Sequence, residues 1–142
     1  MSQFCETSVT TTVFGMLDAA RLKMKCGVLI GPSGVGKTFA CTHYVAQNRG
    51  DAWILTATSA SGNAAQNLFR KFCRLVSDDY DSEFRIAESG SIAEIQDRLR
   101  AYNFAGRLLV IDEAQNLSAQ GIRELLTLND SSDLSVIFCG NE

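Results

Sequence analysis

Residues 31–38 constrain this chain more than any other stretch: Gly31, Pro32, Ser33, Gly34, Val35, Gly36, Lys37 and Thr38 fill every position of the pattern G-x-x-x-x-G-K-[ST]. An apolar run, Cys26 to Ile30, precedes the octet, and a helix-compatible run, Phe39 to Val45, follows it. Strand, tight loop and helix start are therefore predicted in that order. The pattern needs its glycines because successive backbone N–H groups must wrap a polyphosphate, and only glycine turns that tightly and approaches that closely. Lys37 would set a point charge against the β- and γ-phosphates, and Thr38 would offer its hydroxyl to Mg²⁺. The helix that begins there would aim its positive end at the same anion.

A second pattern bears on what happens to a bound triphosphate. Leu108-Leu109-Val110-Ile111 reads as a strand buried on both faces, and it runs directly into Asp112 and Glu113. This is the form of a Walker B strand. Asp112 would hold Mg²⁺, an ion that keeps several waters and takes few protein carboxylates. Glu113 would polarise an attacking water from the carboxyl end of the sheet. Taken alone, the same two acids also suit the first turn of a helix, so the assignment depends on the phosphate loop being present.

With 142 residues, 46% of them hydrophobic, 20% charged and one proline, the chain suits a single α/β domain over residues 1–142. Its net charge of −3 leaves any nucleic-acid contact to a local basic face. The five cysteines form no C-x-x-C pair, and most lie in apolar runs, so they read as small buried hydrophobes of a reducing compartment. No apolar run is long enough to span a membrane, and the N-terminus lacks the basic flank and hydrophobic stretch of a secretory signal. A soluble cytoplasmic protein is expected.

Periodicity places a first helix with Val13, Leu17, Ala20 and Met24 on one face, a strand from Gly27 to Ile30, and a helix from the phosphate loop to about Gln47. Asn48 to Asp51 turns the chain into a second strand, Ala52 to Thr56. An amphipathic helix through Ala65, Leu68, Phe69, Phe72, Cys73 and Val76 follows, and Ser77 to Gly90 reads as a surface connection. Ser91 and Glu94 form a capping box for a helix through Ile95 and Leu99. After the Walker B strand come a helix with Ile122, Leu125 and Leu126, a polar link from Asn129 to Asp133, and a last strand from Leu134 to Phe138. Alternating strands and helices predict a mostly parallel sheet flanked by helices. His43 and Trp53 read as packing residues, the histidine because no second metal-binding residue lies nearby.

The order of a phosphate loop, a strand ending in Asp-Glu, and a strand followed by Asn141 resembles the P-loop core of AAA+ ATPases. In that family a polar residue after the fourth strand serves as sensor 1, so the resemblance gives Asn141 that role; its simpler reading is a strand-end turn. Phe4-Cys5-Glu6-Thr7, Ile54-Leu55-Thr56-Ala57-Thr58-Ser59, Asp112-Glu113-Ala114-Gln115 and Phe138-Cys139-Gly140-Asn141-Glu142 look like the transposition-activating branch, the bacteriophage Mu B type and its bacterial transposon relatives.

That resemblance implies ATP and Mg²⁺ as ligands and an ATPase that self-associates on double-stranded DNA into an ATP-dependent oligomer or filament. A transposase would be its partner. DNA would be met largely through its backbone, with Ser59 to Asn63, Lys71 and Arg74 as region-level candidates beside an ordinary solvated face. The resemblance also implies a fifth strand and a helical lid beyond the sensor 1 strand, where this sequence stops, so reduced hydrolysis is expected of residues 1–142 alone. A helicase-loader-like AAA+ ATPase and a nucleotide-gated scaffold with little hydrolysis are the alternative readings. A guanine nucleotide is disfavoured because no Asn-Lys-x-Asp tetrapeptide occurs.

Overall fold

The apolar runs become four parallel strands in the order β1-β4-β3-β2, with β1 at Gly27–Gly31, β2 at Ala52–Thr56, β3 at Leu108–Asp112 and β4 at Ser135–Asn141. This computed structural model describes residues 8–31, 36–58, 64–79 and 90–141. Five α-helices are described: α1 (Ser8–Lys23), α2 (Lys37–Gln47), α3 (Ala64–Asp79), α4 (Ile92–Ala101) and α5 (Ala119–Ser132). A single 3₁₀ turn, Ala114–Asn116, separates β3 from α5.

Side chains alternate across the strands, so each strand feeds two cores. Leu108 and Val110 of β3, with Ile137 and Cys139 of β4, pack with Val13, Leu17, Ala40, Cys41 and Tyr44 of α1 and α2. On the opposite face, Leu109, Ile111, Val136 and Phe138 meet Phe69, Phe72, Ile95, Leu99, Leu125 and Leu128 from the other three helices. Trp53 sits within this second core at 1% exposure, edge-on to Phe72 (5.4 Å between centroids) and to Phe104 (6.2 Å). Strand β1 is different: Leu29 packs inward, while Val28 and Ile30 on its other face are 57% and 60% exposed.

At the amino ends of the strands, one arginine ties several elements together. The Arg21 guanidinium donates to Gly106 O (2.9 Å), Tyr44 Oη (3.1 Å) and Asn48 Oδ1 (3.0 Å). Tyr44 in turn donates to Asp18. Burial first, and then the proton it gives to Asp18, push the Tyr44 hydroxyl above its ordinary pKa.

Several boundaries differ from the periodicity reading, each for a tertiary reason. Met24 leaves the helical face: α1 stops at Lys23, Met24 takes a left-handed φ of 55°, and its side chain is 40% exposed. The first three residues of the expected surface connection, Ser77 to Asp79, instead complete α3, with Ser77 buried and Asp79 accepting from Arg49 Nε at 3.1 Å. The rest of that connection, 80–89, lies outside the described residues. Helix α5 takes in most of the expected polar link because Ser132 Oγ satisfies itself on Leu128 O (2.6 Å) and Ser132 O accepts from Phe104 N (2.7 Å). Asp133 ends the helix at φ 62°. The expected cap at Ser91 is made, with Ser91 Oγ accepting from Glu94 N (3.2 Å), and the structure adds a second at Ser118, whose Oγ accepts from Gly121 N (3.0 Å).

Candidate functional site

Three neighbouring strands, β1, β4 and β3, bring their carboxyl ends together, and the candidate site residues gather there. Strand β4 runs on past Phe138, because β1 continues to pair with it after β3 has ended at Ile111↔Phe138, and its last residue Asn141 is the register partner of Gly31. Asn141 is thus strand and not turn, set beside the first glycine of the phosphate loop. Pro32, Ser33, Gly34 and Val35 lie outside the described residues.

The far end of the loop is described. Gly36 caps α2 in the left-handed region at φ 85°, ψ 12°. A Cβ there would meet nothing within 4 Å, so the demand for glycine is one of backbone conformation and not of space. Glycine also offers no side-chain acceptor to the first turn of α2, and no side-chain cap is made there. Lys37, the first residue of α2, is 7% exposed.

The two motifs meet through one hydrogen bond across 74 residues of sequence: Thr38 Oγ1 donates to Asp112 Oδ2 at 2.9 Å. Asp112 ends β3 and is 6% exposed, and its second oxygen, Oδ1, accepts from the backbone N–H of Glu113 at 2.9 Å. Strand β2 contributes to the same corner, since Ala57 N donates to Asp112 O (2.9 Å) and Asn116 Nδ2 donates to Ala57 O (3.1 Å).

Glu113 sits at the pivot between β3 and the 3₁₀ turn with φ 55°, ψ 39°. For a glutamate this left-handed conformation is uncommon and costs about 1 kcal/mol. Its carboxylate Oε2 accepts from Gln115 Nε2 at 2.7 Å. Periodicity gives no sign of either feature, since both arise from the tight turn that follows the strand.

Beneath the site, Cys41 of α2 and Cys139 of β4 are buried free thiols in mutual contact. Donation to the Cys139 sulfur, together with burial, pushes the Cys41 thiol far above its ordinary range. Cys73 is buried as well and Cys26 half-buried, while Cys5 lies outside the described residues.

Other singled-out residues stand apart from this corner. His43 stacks on Phe14 at 6.1 Å between centroids and pairs with Gln47 at 3.0 Å, which places it in packing on α2. Lys71 and Arg74 are exposed on α3. The segments Phe4 to Thr7 and Ser59 to Asn63 lie outside the described residues. No helix among the described residues is long and apolar enough to cross a membrane.

A parallel sheet whose first strand runs into G-x-x-x-x-G-K-T, with a buried aspartate at the end of β3 bonded to the threonine of that motif, defines a P-loop nucleotide-binding fold. More narrowly, the chain belongs to the AAA domain family, whose model matches residues 21–142.

Its relatives include the Mu-like prophage FluMu DNA transposition protein B of Haemophilus influenzae, 25% identical over 98% of this chain and 46% of the relative. The ATP-dependent target DNA activator B of Escherichia phage Mu is 27% identical over 98% of this chain and 42% of the relative. The chain therefore spans less than half the length of these curated relatives. Among solved structures, that of C. elegans PCH-2 superimposes over 93% of this chain and 36% of its own, with a TM-score of 0.42 and 19% identity.

Proposed function

We propose that this chain is the nucleotide-binding core, over residues 1–142, of an ATP-hydrolysing DNA transposition protein that assembles on double-stranded DNA and activates or targets a transposase. The observation that carries the nucleotide part is the Thr38–Asp112 hydrogen bond, which joins the phosphate loop to the Walker B strand. The transposition part rests on similarity along nearly the whole chain to a DNA transposition protein B and an ATP-dependent target DNA activator B.

In this reading Gly31 to Thr38 cradle the phosphates, with Lys37 as the point charge on the β- and γ-phosphates. A hydroxyl and a carboxylate are hard oxygen donors, and few of them, which suits an ion that keeps most of its water shell. Thr38 and Asp112 would hold Mg²⁺, and the ion when bound would offset negative charge on the phosphate oxygens. Glu113 accepts the proton of the attacking water as its oxygen bonds to the γ-phosphorus and ADP leaves. Asn141 serves as sensor 1, by resemblance, from its place beside Gly31. DNA is met through its backbone, so binding is weakly sequence-specific and falls steeply with salt. Ser59 to Asn63, Lys71 and Arg74 are the regions assigned to that contact, and ATP-bound copies associate on the DNA.

The test is binding of the chain to random-sequence double-stranded DNA with ATP and Mg²⁺, with ADP, and with no nucleotide, using Lys37→Ala as control. Cooperative, salt-sensitive binding that needs ATP and is lost in Lys37→Ala supports the proposal. Nucleotide binding with no effect on DNA affinity would contradict its transposition part.

A further inference from the structure

We infer that Gln115 is a positioning residue for Glu113, and that Gly140 is the clearance that lets it act. The inference rests on the reading of Glu113 as the group that accepts the proton of water. Gln115 donates Nε2–H to Glu113 Oε2 at 2.7 Å, a short, charge-assisted hydrogen bond between exposed groups. A half-buried glutamate at the end of a strand still has several rotamers open to it, most of which point its carboxylate away from any one water.

The backbone beneath Gln115 is held at both ends of the 3₁₀ turn. Ala114 and Leu117 are buried, Asn116 N donates to Glu113 O (3.0 Å), and Asn116 Nδ2 reaches Ala57 O (3.1 Å) beyond β2. The other end of the Gln115 amide faces β4. A Cβ on Gly140 would lie 3.1 Å from Gln115 Oε1 and 3.8 Å from Gln115 N. Gly140 keeps an ordinary negative-φ backbone, so a side chain there would not strain the chain but would press the Gln115 amide aside by a few tenths of an ångström.

One amide group therefore spans the carboxylate of Glu113 and the backbone of β4, one residue before Asn141. Gln115 acts on the reaction through Glu113 and touches no reacting atom.

The experiment is steady-state ATP turnover by the full chain with double-stranded DNA, for Gln115→Ala, Gly140→Ala, Glu113→Gln and the Gln115→Ala/Glu113→Gln pair. The expected result for Gln115→Ala is a fall in kcat of about 10-fold with KM for ATP changed less than about twofold. Gly140→Ala should reproduce it, and adding Gln115→Ala to Glu113→Gln should cause no further loss. A wild-type kcat for Gln115→Ala, or an equal further loss in the Glu113→Gln background, would overturn the inference.

A ligand-free readout accompanies the kinetics. The side-chain amide resonances of Gln115 should shift in Glu113→Ala, which removes the acceptor of its Nε2–H; resonances indifferent to that substitution would overturn the inference even where turnover is too slow to rank variants. The two readings fail separately. If Glu113→Gln hydrolyses at the wild-type rate, the proton-acceptor assignment falls and this inference with it; if Glu113→Gln is inactive while Gln115→Ala keeps full kcat, only this inference falls.

Discussion

Thr38 gives its hydroxyl proton to Asp112 Oδ2 at 2.9 Å, so a residue of the phosphate-loop motif and the buried carboxylate that ends β3 are in direct contact. The bond holds two hard oxygen groups side by side at the carboxyl ends of the strands. In the proposed role, these are the two protein oxygens that would hold Mg²⁺.

Replacing Thr38 by Val keeps the shape and removes the hydroxyl. The hydroxyl is one of the two protein oxygens assigned to Mg²⁺, so ATP affinity in Mg²⁺ should drop about 10-fold. With EDTA in place of Mg²⁺ the affinities of wild type and Thr38→Val should converge. Titration calorimetry under the two conditions checks both statements.

Gly36 should resist substitution for conformational reasons alone. Its φ of 85° is left-handed, and a Cβ would touch nothing. Gly36→Ala should therefore cost about 1 kcal/mol of stability, a drop of roughly 3 °C in Tm for a chain of this size. Thermal unfolding without nucleotide measures it; a loss several times larger would mean that the alanine clashes after all.

The Arg21 cluster predicts a pH effect on the alkaline side. Tyr44 is buried and donates to Asp18, so its folded pKa lies above the unfolded value of about 10. Between those two values the folded state holds a proton that the unfolded state has lost. The stabilisation is complete below about pH 10 and drains away as pH climbs through the folded pKa. Chemical unfolding at pH 9 and at pH 11 should show a larger alkaline loss for wild type than for Tyr44→Phe. Equal losses would contradict the assigned environment.

Much of this architecture was legible from the residues, and the exceptions share a cause. Leu108 to Ile111 announce a strand buried on both faces, and residues 31–38 announce the end of β1 and the start of α2, because each signal is local. Ser77 to Asp79 and Asn129 to Ser132 carry turn-forming residues yet are helical. Their polar groups found partners elsewhere, in Arg49 for Asp79 and in the Leu128 carbonyl for Ser132. Such partners are distant in sequence or invisible to hydropathy.

The same limit applies at the site. Lys37, Thr38, Asp112 and Glu113 can be nominated from sequence because the proposed chemistry demands those residue types at that spacing, and the structure brings Thr38 and Asp112 together. The left-handed backbone of Glu113, its bond to Gln115 and the space left by Gly140 depend on how one short turn meets β4, and no periodicity encodes that. The continuation of β4 to Asn141 was hidden for a related reason: Gly140 and Asn141 favour turns, and pairing with β1 overrides them.

The most direct test of the account compares Glu113→Gln with wild type for ATP turnover and for persistence on double-stranded DNA after ATP addition. The account predicts that Glu113→Gln binds ATP with near wild-type affinity, loses at least about 100-fold in turnover, and stays on DNA long after the wild type has dissociated. Turnover and DNA release at wild-type rates in Glu113→Gln would contradict it.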